Sequence, residues 1–164
     1  MLTKLSHQVR PLARRDLADV LAIERACYCD PWSESDFDRI LRSPRSFALA
    51  AEDRGELCGY LIGEREGGRV QLWNLCVDHR ARRRGVATRL LRRVARQLRQ
   101  GQRLMTIVSE RNLPAQLFYR AQEFRAVSIL RFFWSPTDDA YLFEYRPGES
   151  AAPFLPANRV AAYL

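Results

Sequence analysis

The segment over residues 70–99 limits the possible folds most, because it joins an apolar run to a strongly amphipathic one through an arginine-rich loop. Residues 70–77 are apolar almost throughout, which predicts a buried strand. Over residues 85–99 apolar side chains recur every three or four positions and arginines occupy many of the others, which predicts a helix with one buried face. We expect Gly101 to end this helix as a left-handed cap.

Strand-like and helix-like segments alternate along the rest of the chain. Ser33 and Asp36 form an approximate capping box for one predicted helix, and Asn112 caps another. The further predicted helices cover residues 16–27, 33–41 and 112–121, and the further strands cover residues 5–12, 46–51, 57–63, 104–108, 126–134 and 140–145. This order predicts an α/β (α+β) fold with a single mixed sheet, in which residues 46–77 form an antiparallel meander.

Length and composition fit one globular domain. The chain has 164 residues, of which 47% are hydrophobic and 28% charged, values that exclude a disordered tail, a collagen-like chain and a disulfide knot. No apolar run approaches the ~18–20 residues that cross a bilayer, and the N-terminus lacks a secretory signal, so we expect a cytoplasmic protein without a membrane partner. The four cysteines and two histidines fit no zinc spacing, and no metal site is predicted.

The chain is strongly basic. Twenty-seven Lys and Arg residues against nineteen Asp and Glu give a net charge of +8, and only Lys4 is a lysine. Nine arginines fall within residues 80–99. Such a cluster indicates an anionic partner, which can be a nucleotide, a phosphate or a nucleic acid. The alternative is a solvated helix face in a proteome that favours arginine over lysine.

The loop over residues 82–87, Arg-Arg-Arg-Gly-Val-Ala, has the features of a pyrophosphate site. Main-chain amides at a helix N-terminus point outward unpaired, and the helix dipole adds partial positive charge there. Gly85 allows a phosphate to approach the main chain closely, and Ala87 keeps the next turn small. The loop lacks both the GxxxxGK[ST] sequence of a P-loop and the glycines of a dinucleotide fingerprint. A solvated basic turn is the alternative interpretation.

Two motifs together resemble the GNAT superfamily of N-acetyltransferases. They are Arg82-x-x-Gly85-x-Ala87 between a strand and a helix, and Asn112-x-x-Ala115-x-x-Phe118-Tyr119-x-x-x-x-Phe124 after the next strand. The segment Pro31-Trp32-Ser33-Glu34 is similar to the ribosomal-protein alanine N-acetyltransferases (RimI-like). The resemblance covers roughly residues 8–146. It implies the GNAT fold, a mostly antiparallel sheet of about seven strands flanked by about four helices, with a catalytic domain over residues 1–146 and a C-terminal arm over residues 147–164.

The resemblance implies an acetyl-CoA-dependent N-acetyltransferase whose acceptor is a primary amine, with a protein N-terminus of the ribosomal alanine type as the expected one. The pyrophosphate would bind the amides of residues 83–88, and the pantetheine arm would pair with a strand that a bulge opens. Tyr119 would donate a proton to the departing thiolate; the alternative is a core aromatic. Asn112 would contact the coenzyme or serve only as a cap. The implied coenzyme-binding set is Leu75, Cys76, Val77, Arg82, Arg83, Arg84, Gly85, Val86, Ala87, Thr88 and Asn112.

The sequence departs from the family at the general base. RimI-like enzymes carry a glutamate five residues before the asparagine, a position that is Ile107 here. Glu110 is the nearest carboxylate and the candidate base, although it is also readily explained as a surface residue. Glu64 or Glu66 can supply the carboxylate instead, or the proton can leave through water or backbone carbonyls.

Two other functions remain open. One is acetylation of a small-molecule amine or polyamine; the other is a basic ribosome- or nucleic-acid-binding module that kept the fold and lost catalysis. The retained loop and Tyr119 favour an enzyme, whereas the missing glutamate favours the module. Contact with nucleic acid is compatible with the charge but is not predicted. Candidate acceptor residues are Trp32, Phe37, Arg131 and Trp134.

Overall fold

The computed structural model describes residues 8–149. Seven strands in a mixed sheet, together with four α-helices, confirm the predicted α/β fold. The strands are β1 (Gln8–Pro11), β2 (Ser46–Asp53), β3 (Glu56–Glu66), β4 (Arg69–Val77), β5 (Arg103–Ser109), β6 (Arg125–Ser135) and β7 (Asp138–Tyr145). The helices are α1 (Leu17–Cys27), α2 (Glu34–Leu41), α3 (Val86–Ala95) and α4 (Leu113–Ala121).

The chain divides into two compact units between Thr106 and Ile107. The assignment of residues 1–146 to one catalytic domain and of 147–164 to an arm stays a prediction. Residues 150–164 of that arm, like residues 5–7 of the predicted first strand, lie outside the described residues. Among residues 8–149, no helix is both long and apolar enough to cross a membrane.

The first unit contains the predicted meander. Strands β1 to β4 pair antiparallel with their neighbours in chain order, and β4 pairs parallel with β5 from Arg69–Arg103 to Leu72–Thr106. Helix α1 and helix α2 cover one part of this sheet, where Val20, Phe37 and Tyr60 are fully buried. Ser33 caps α2, because its hydroxyl accepts from the Asp36 amide and the Asp36 carboxylate accepts from the Ser33 amide, as the capping box predicts.

Helix α3 has the predicted buried face but is shorter than predicted. Val86, Leu90, Leu91 and Val94 are buried, whereas the helix ends at Ala95 instead of residue 99. The amide of Arg103 donates to the carbonyl of Gly68 at 3.1 Å, so the chain must leave the helix early to bring β5 beside the start of β4. Gly101 is left-handed at φ 80°, but it belongs to this connection and does not cap the helix.

The second unit contains α4 and the antiparallel pair of β6 and β7. Three of its buried side chains are aromatic and pack together: Tyr119 of α4 lies 5.2 Å from Phe124 and 6.2 Å from Phe143, between ring centroids. The register of β6 and β7 shifts between Leu130 and Ser135. Three exposed aromatic residues follow one another in that stretch: Phe132, Phe133 and Trp134.

Candidate active site

The loop between β4 and α3 is tightly fixed at its beginning. The Asp78 carboxylate accepts from the Arg80 amide at 2.8 Å and closes a 3-10 turn over His79–Ala81. The Arg80 guanidinium also donates to this carboxylate, which lowers the pKa of Asp78 despite its partial burial. Ala81 is buried beneath the turn. The loop therefore leaves the strand in one defined direction.

The end of the loop is open. Gly85 lies at the N-terminus of α3 with φ +79°, a left-handed conformation that favours glycine, and no side chain caps the helix. A Cβ atom at Gly85 would have no protein atom within 4 Å. Free space therefore faces uncapped amides at the positive end of a helix dipole, and this arrangement fits a pyrophosphate. The fit supports Arg83, Gly85, Ala87 and Thr88 as main-chain ligands of the coenzyme.

The three loop arginines differ in their contacts. The Arg82 guanidinium donates to the Val77 carbonyl at 3.2 Å and contacts the Cys27 sulfur at 3.3 Å, which ties the loop to the end of α1. Arg84 pairs weakly with Asp53 at 3.9 Å. Arg83 is exposed, with left-handed backbone at φ 63°. Val86, another member of the predicted coenzyme-binding set, is buried, so only its main chain is available to a ligand.

Strand β4 contains the bulge that coenzyme pairing requires. The register with β3 shifts so that Leu72 opposes Gly63 and Asn74 opposes Ile62, which leaves Trp73 as the extra residue. The parallel pairing of β4 with β5 includes Leu72, the residue directly before this bulge. Beyond it follow the three residues predicted to pair with pantetheine: Leu75, Cys76 and Val77.

Close packing of α3 on the sheet depends on a glycine that the sequence analysis did not single out. A Cβ atom at Gly59 of β3 would lie 2.9 Å from the Cys76 carbonyl and 3.2 Å from Val86. Only glycine therefore allows the first turn of α3 to approach β3 and β4 this closely. The isolated glycine within an apolar strand pattern was the available signal.

A buried carboxylate beneath β4 forms a network that the helical period of α1 did not predict. Glu24 of α1 is 1% exposed, and its oxygens accept from the Trp32 amide at 3.0 Å, the Asn74 carboxamide at 3.2 Å and the Tyr60 hydroxyl. Burial raises the pKa of Tyr60, and its contact with Glu24 raises it further, so the phenol stays protonated and donates. The network joins the α1–α2 turn to the residue that follows the bulge.

Residues Asn112 and Tyr119 lie on the second unit. The Asn112 side chain accepts from the Ala115 amide at 3.1 Å, which confirms the predicted cap of α4. Tyr119 is 7% exposed and its ring packs 5.2 Å from Phe118, between centroids. Their roles toward the coenzyme and the departing thiolate stay predictions.

Comparison with known proteins decides the family. Residues 17–124 match the Acetyltransferase (GNAT) family. The chain belongs to this family. GNAT acetyltransferases use acetyl-CoA, so the prediction of an acyltransferase with acetyl-CoA as its co-substrate is confirmed.

Several solved structures share the fold of this GNAT acetyltransferase. The ribosomal-protein-S18-alanine N-acetyltransferase from Escherichia coli matches with a TM-score of 0.77 and 24% identity, over 85% of this chain and 92% of the other. Arabidopsis thaliana NAA60 in complex with a bisubstrate analogue matches with a TM-score of 0.75 and 24% identity, over 85% and 97%. Its complex with acetyl-CoA matches with a TM-score of 0.73 and 22% identity, over 85% and 98%.

The candidate bases of this GNAT acetyltransferase are all engaged by other groups. Glu110 is exposed, and its carboxylate accepts from the Asp139 amide at 3.2 Å at the start of β7. Glu64 accepts from Ser43 at 3.0 Å and pairs with Arg45 at 3.4 Å, and Glu66 pairs with Arg45 at 3.7 Å. Ile107, at the family's base position, is a half-buried aliphatic residue of β5. Glu110 as base stays a prediction.

The acceptor candidates also differ in exposure. Phe37 is fully buried against Trp32 and Tyr60, so its assignment to the acceptor cleft is wrong: it is a core residue. Trp134 is 53% exposed, and Arg131 forms an ion pair with Asp139 at 2.5 Å. Across the described part of the chain, no group of three or more His, Cys, Asp or Glu side chains is arranged to hold a metal ion.

Proposed function

We propose that this acetyltransferase transfers the acetyl group of acetyl-CoA to the α-amino group of a protein N-terminus, with a ribosomal protein that begins with alanine as the expected substrate. The observation that carries the proposal is the aliphatic Ile107 where a base is expected, together with the engagement of Glu110 by β7. The Escherichia coli neighbour, a ribosomal-protein-S18-alanine N-acetyltransferase, supports the same acceptor class. A ribosomal substrate also supports a cytoplasmic reaction.

The acceptor class follows from the pKa of the amine. An α-amino group has a pKa of ~7.7–8.0, so a useful fraction is neutral near pH 7.5, whereas a lysine ε-amine near ~10.4 is almost fully charged. A positioned base typically contributes ~10²–10⁴-fold. A site without a strong base must therefore select amines that are already partly neutral, and N-terminal amines meet that condition.

The chain's residues have distinct tasks in this proposal. The amides at Gly85, Ala87 and Thr88, with the arginines before them, hold the pyrophosphate, and the segment after the β4 bulge orients the pantetheine arm. Bound acetyl-CoA supplies the thioester that the neutral amine attacks. The Tyr119 hydroxyl provides the proton for the thiolate, and the proton that the attacking nitrogen loses leaves through water and restores the phenol. Positioning alone can supply much of the acceleration, since effective molarities reach ~10⁵ M or more.

The test compares two peptides of one sequence. One has a free N-terminus; the other is blocked there and carries a lysine. We expect turnover on the first to be higher and to rise with pH until its α-amine has titrated, with no inflection in the range of an enzyme carboxylate. Ile107→Glu, which restores the family base, is expected to raise the rate below pH 7.5, and Ile107→Gln is the uncharged control of equal size.

Three results would contradict the proposal in different ways. A preference for the lysine peptide indicates that another residue supplies a base, and Glu110→Gln then identifies whether Glu110 does so. Turnover of polyamines above that of all peptides indicates the small-molecule alternative. Binding of acetyl-CoA without transfer to any amine indicates a module that lost catalysis.

A further inference from the structure

The net positive charge of the protein comes from one segment. Residues 79–109 contain ten arginines and no Asp or Glu, whereas the remainder of the chain has 17 Lys and Arg against 19 Asp and Glu. A general preference for arginine would spread the charge along the whole sequence. The net charge of +8 therefore arises from the coenzyme loop, α3 and the connection to β5.

The arginines of α3 occupy the face opposite to its buried residues. Val86, Leu90, Leu91 and Val94 are buried, and the outer arginine face, defined as Arg92 and Arg93 of the helix with Arg96 at its C-cap, is exposed. Residues three and four apart on a helix have Cβ atoms ~5–6 Å from each other. The outer arginine face is therefore a compact row of guanidinium groups directed to solvent.

This face lacks the acidic partners that the arginines of α2 have. On α2, Arg39 pairs with Asp36 at 3.1 Å and Arg42 pairs with Asp38 at 3.6 Å. In contrast, within residues 8–149 no carboxylate forms an ion pair with Arg92, Arg93 or Arg96. Like charges three and four residues apart on a helix repel one another, and a bound anion relieves that repulsion.

The chemistry of the face selects the kind of anion. Guanidinium groups bind phosphate oxygens in bidentate geometry, and a row of them matches a polymer with regularly repeated phosphates. A membrane surface is a poor match, because every large apolar side chain of α3 is buried and none is available to enter the lipid. The loop arginines, not this face, adjoin the proposed pyrophosphate site.

We infer that the outer arginine face of α3 binds the phosphate backbone of a nucleic acid, and that it does so while the coenzyme loop is occupied by acetyl-CoA. The binding is independent of base sequence, because the face carries only guanidinium groups. It adds to the enzymatic activity and does not depend on which amine is acetylated. A nucleic-acid scaffold that carries protein substrates would hold the enzyme close to them.

The experiment measures fluorescence anisotropy of a labelled RNA duplex with the full chain over a range of salt concentrations. We expect a Kd of ~10⁻⁶–10⁻⁴ M near physiological salt, with saturating acetyl-CoA present. The triple substitution Arg92→Gln, Arg93→Gln and Arg96→Gln should weaken binding about tenfold or more. Its salt slope, d log K/d log [salt], should be smaller by about 2–3, because each lost phosphate contact removes ~0.7–0.9.

The matched control is Arg39→Gln with Arg42→Gln, which removes exposed helical arginines that already have acidic partners. It should leave the Kd for RNA within about twofold, and both variants should retain acetyl-CoA affinity and Tm. Unchanged RNA affinity in the triple variant would overturn the inference. Displacement of RNA by acetyl-CoA would assign the binding to the coenzyme loop instead, and equal affinity for a polyglutamate of matched charge would assign it to acidic proteins.

Discussion

Two helices of this protein begin directly after a strand and a short loop, and their first turns are built in opposite ways. Helix α3 starts at Gly85, which has left-handed backbone, no capping side chain and free space around it. Helix α4 starts at Asn112, whose carboxamide accepts from the Ala115 amide at 3.1 Å. The first turn of α3 therefore leaves its amides available to a ligand, whereas one amide in the first turn of α4 is bound by the Asn112 side chain.

The difference indicates how similar helix starts acquire different tasks. The partial positive charge at an N-terminus is common to every helix, so it cannot by itself define a binding site. What distinguishes α3 is a glycine in place of a capping residue and three successive arginines directly before that glycine. Helix α4 is stabilised by its cap, and its proposed chemical contribution comes from Tyr119 two turns later.

The largest expected effect is from Gly85→Glu, which closes the open start of α3. A carboxylate there would repel the pyrophosphate, a juxtaposition that costs several kcal/mol, and we expect acetyl-CoA affinity to fall by about 100-fold or more in calorimetry. Gly55→Glu is the control, because Gly55 is also left-handed, at φ 88°, with free space around it. Both variants should lose similar stability. Equal acetyl-CoA affinity in the two would refute the loop as the coenzyme site.

On the α4 side, Tyr119→Phe should lower turnover by about 10²-fold while the KM for acetyl-CoA changes little. The ring keeps its packing against Phe118 and Phe124, and only the proton donor is lost. Tyr145→Phe removes a hydroxyl from the same aromatic group, since Tyr145 lies 5.5 Å from Phe124, and should leave turnover unchanged. A Tyr119→Phe enzyme within about twofold of the parent would make Tyr119 structural.

Substitutions at Asn112 separate its cap from its proposed contact with the coenzyme. Asn112→Ala should cost ~1 kcal/mol of stability, because the Ala115 amide loses its partner. Asn112→Asp caps equally well and should keep the Tm, but its charge near phosphates should weaken acetyl-CoA binding about tenfold. If Asn112→Asp binds acetyl-CoA as the parent does, Asn112 is a cap only. In that case the start of α3 binds the coenzyme and the start of α4 does not.

The smallest effect concerns pH and the fixed beginning of the α3 loop. The pKa of Asp78 is lowered by Arg80, so Asp78 stabilises the fold above its unfolded pKa of ~3.9, and this contribution is lost as pH falls through the lower folded pKa. Asp78→Asn keeps an acceptor for the Arg80 amide but loses the charge. The Tm of Asp78→Asn should lie about 1–2 °C below that of the parent at pH 7, and the two should converge as pH falls through the folded pKa of Asp78. A difference in Tm between the parent and Asp78→Asn that grows as the pH falls would contradict a stabilising charge on Asp78.

Local patterns predicted much of the fold and part of the site. The capping residues Ser33 and Asn112, the buried face of α3 and the meander are confirmed, because each depends on interactions within a few residues or between neighbouring strands. The length of α3 was not predictable in this way. Its apolar period continues to Leu98, but pairing of Arg103 with Arg69 requires the chain to turn at Ala95.

The sequence by itself determined the α/β order, the family motifs and the concentration of arginines at residues 80–99. Only the tertiary structure decided the role of Glu24. In the sequence of α1, Glu24 falls on the same helical period as the buried residues. Its hydrogen-bond partners Tyr60 and Asn74 lie 36 and 50 residues away in the chain. A carboxylate is tolerated in a core only where donors converge on it, and convergence over such separations is a property of the folded chain.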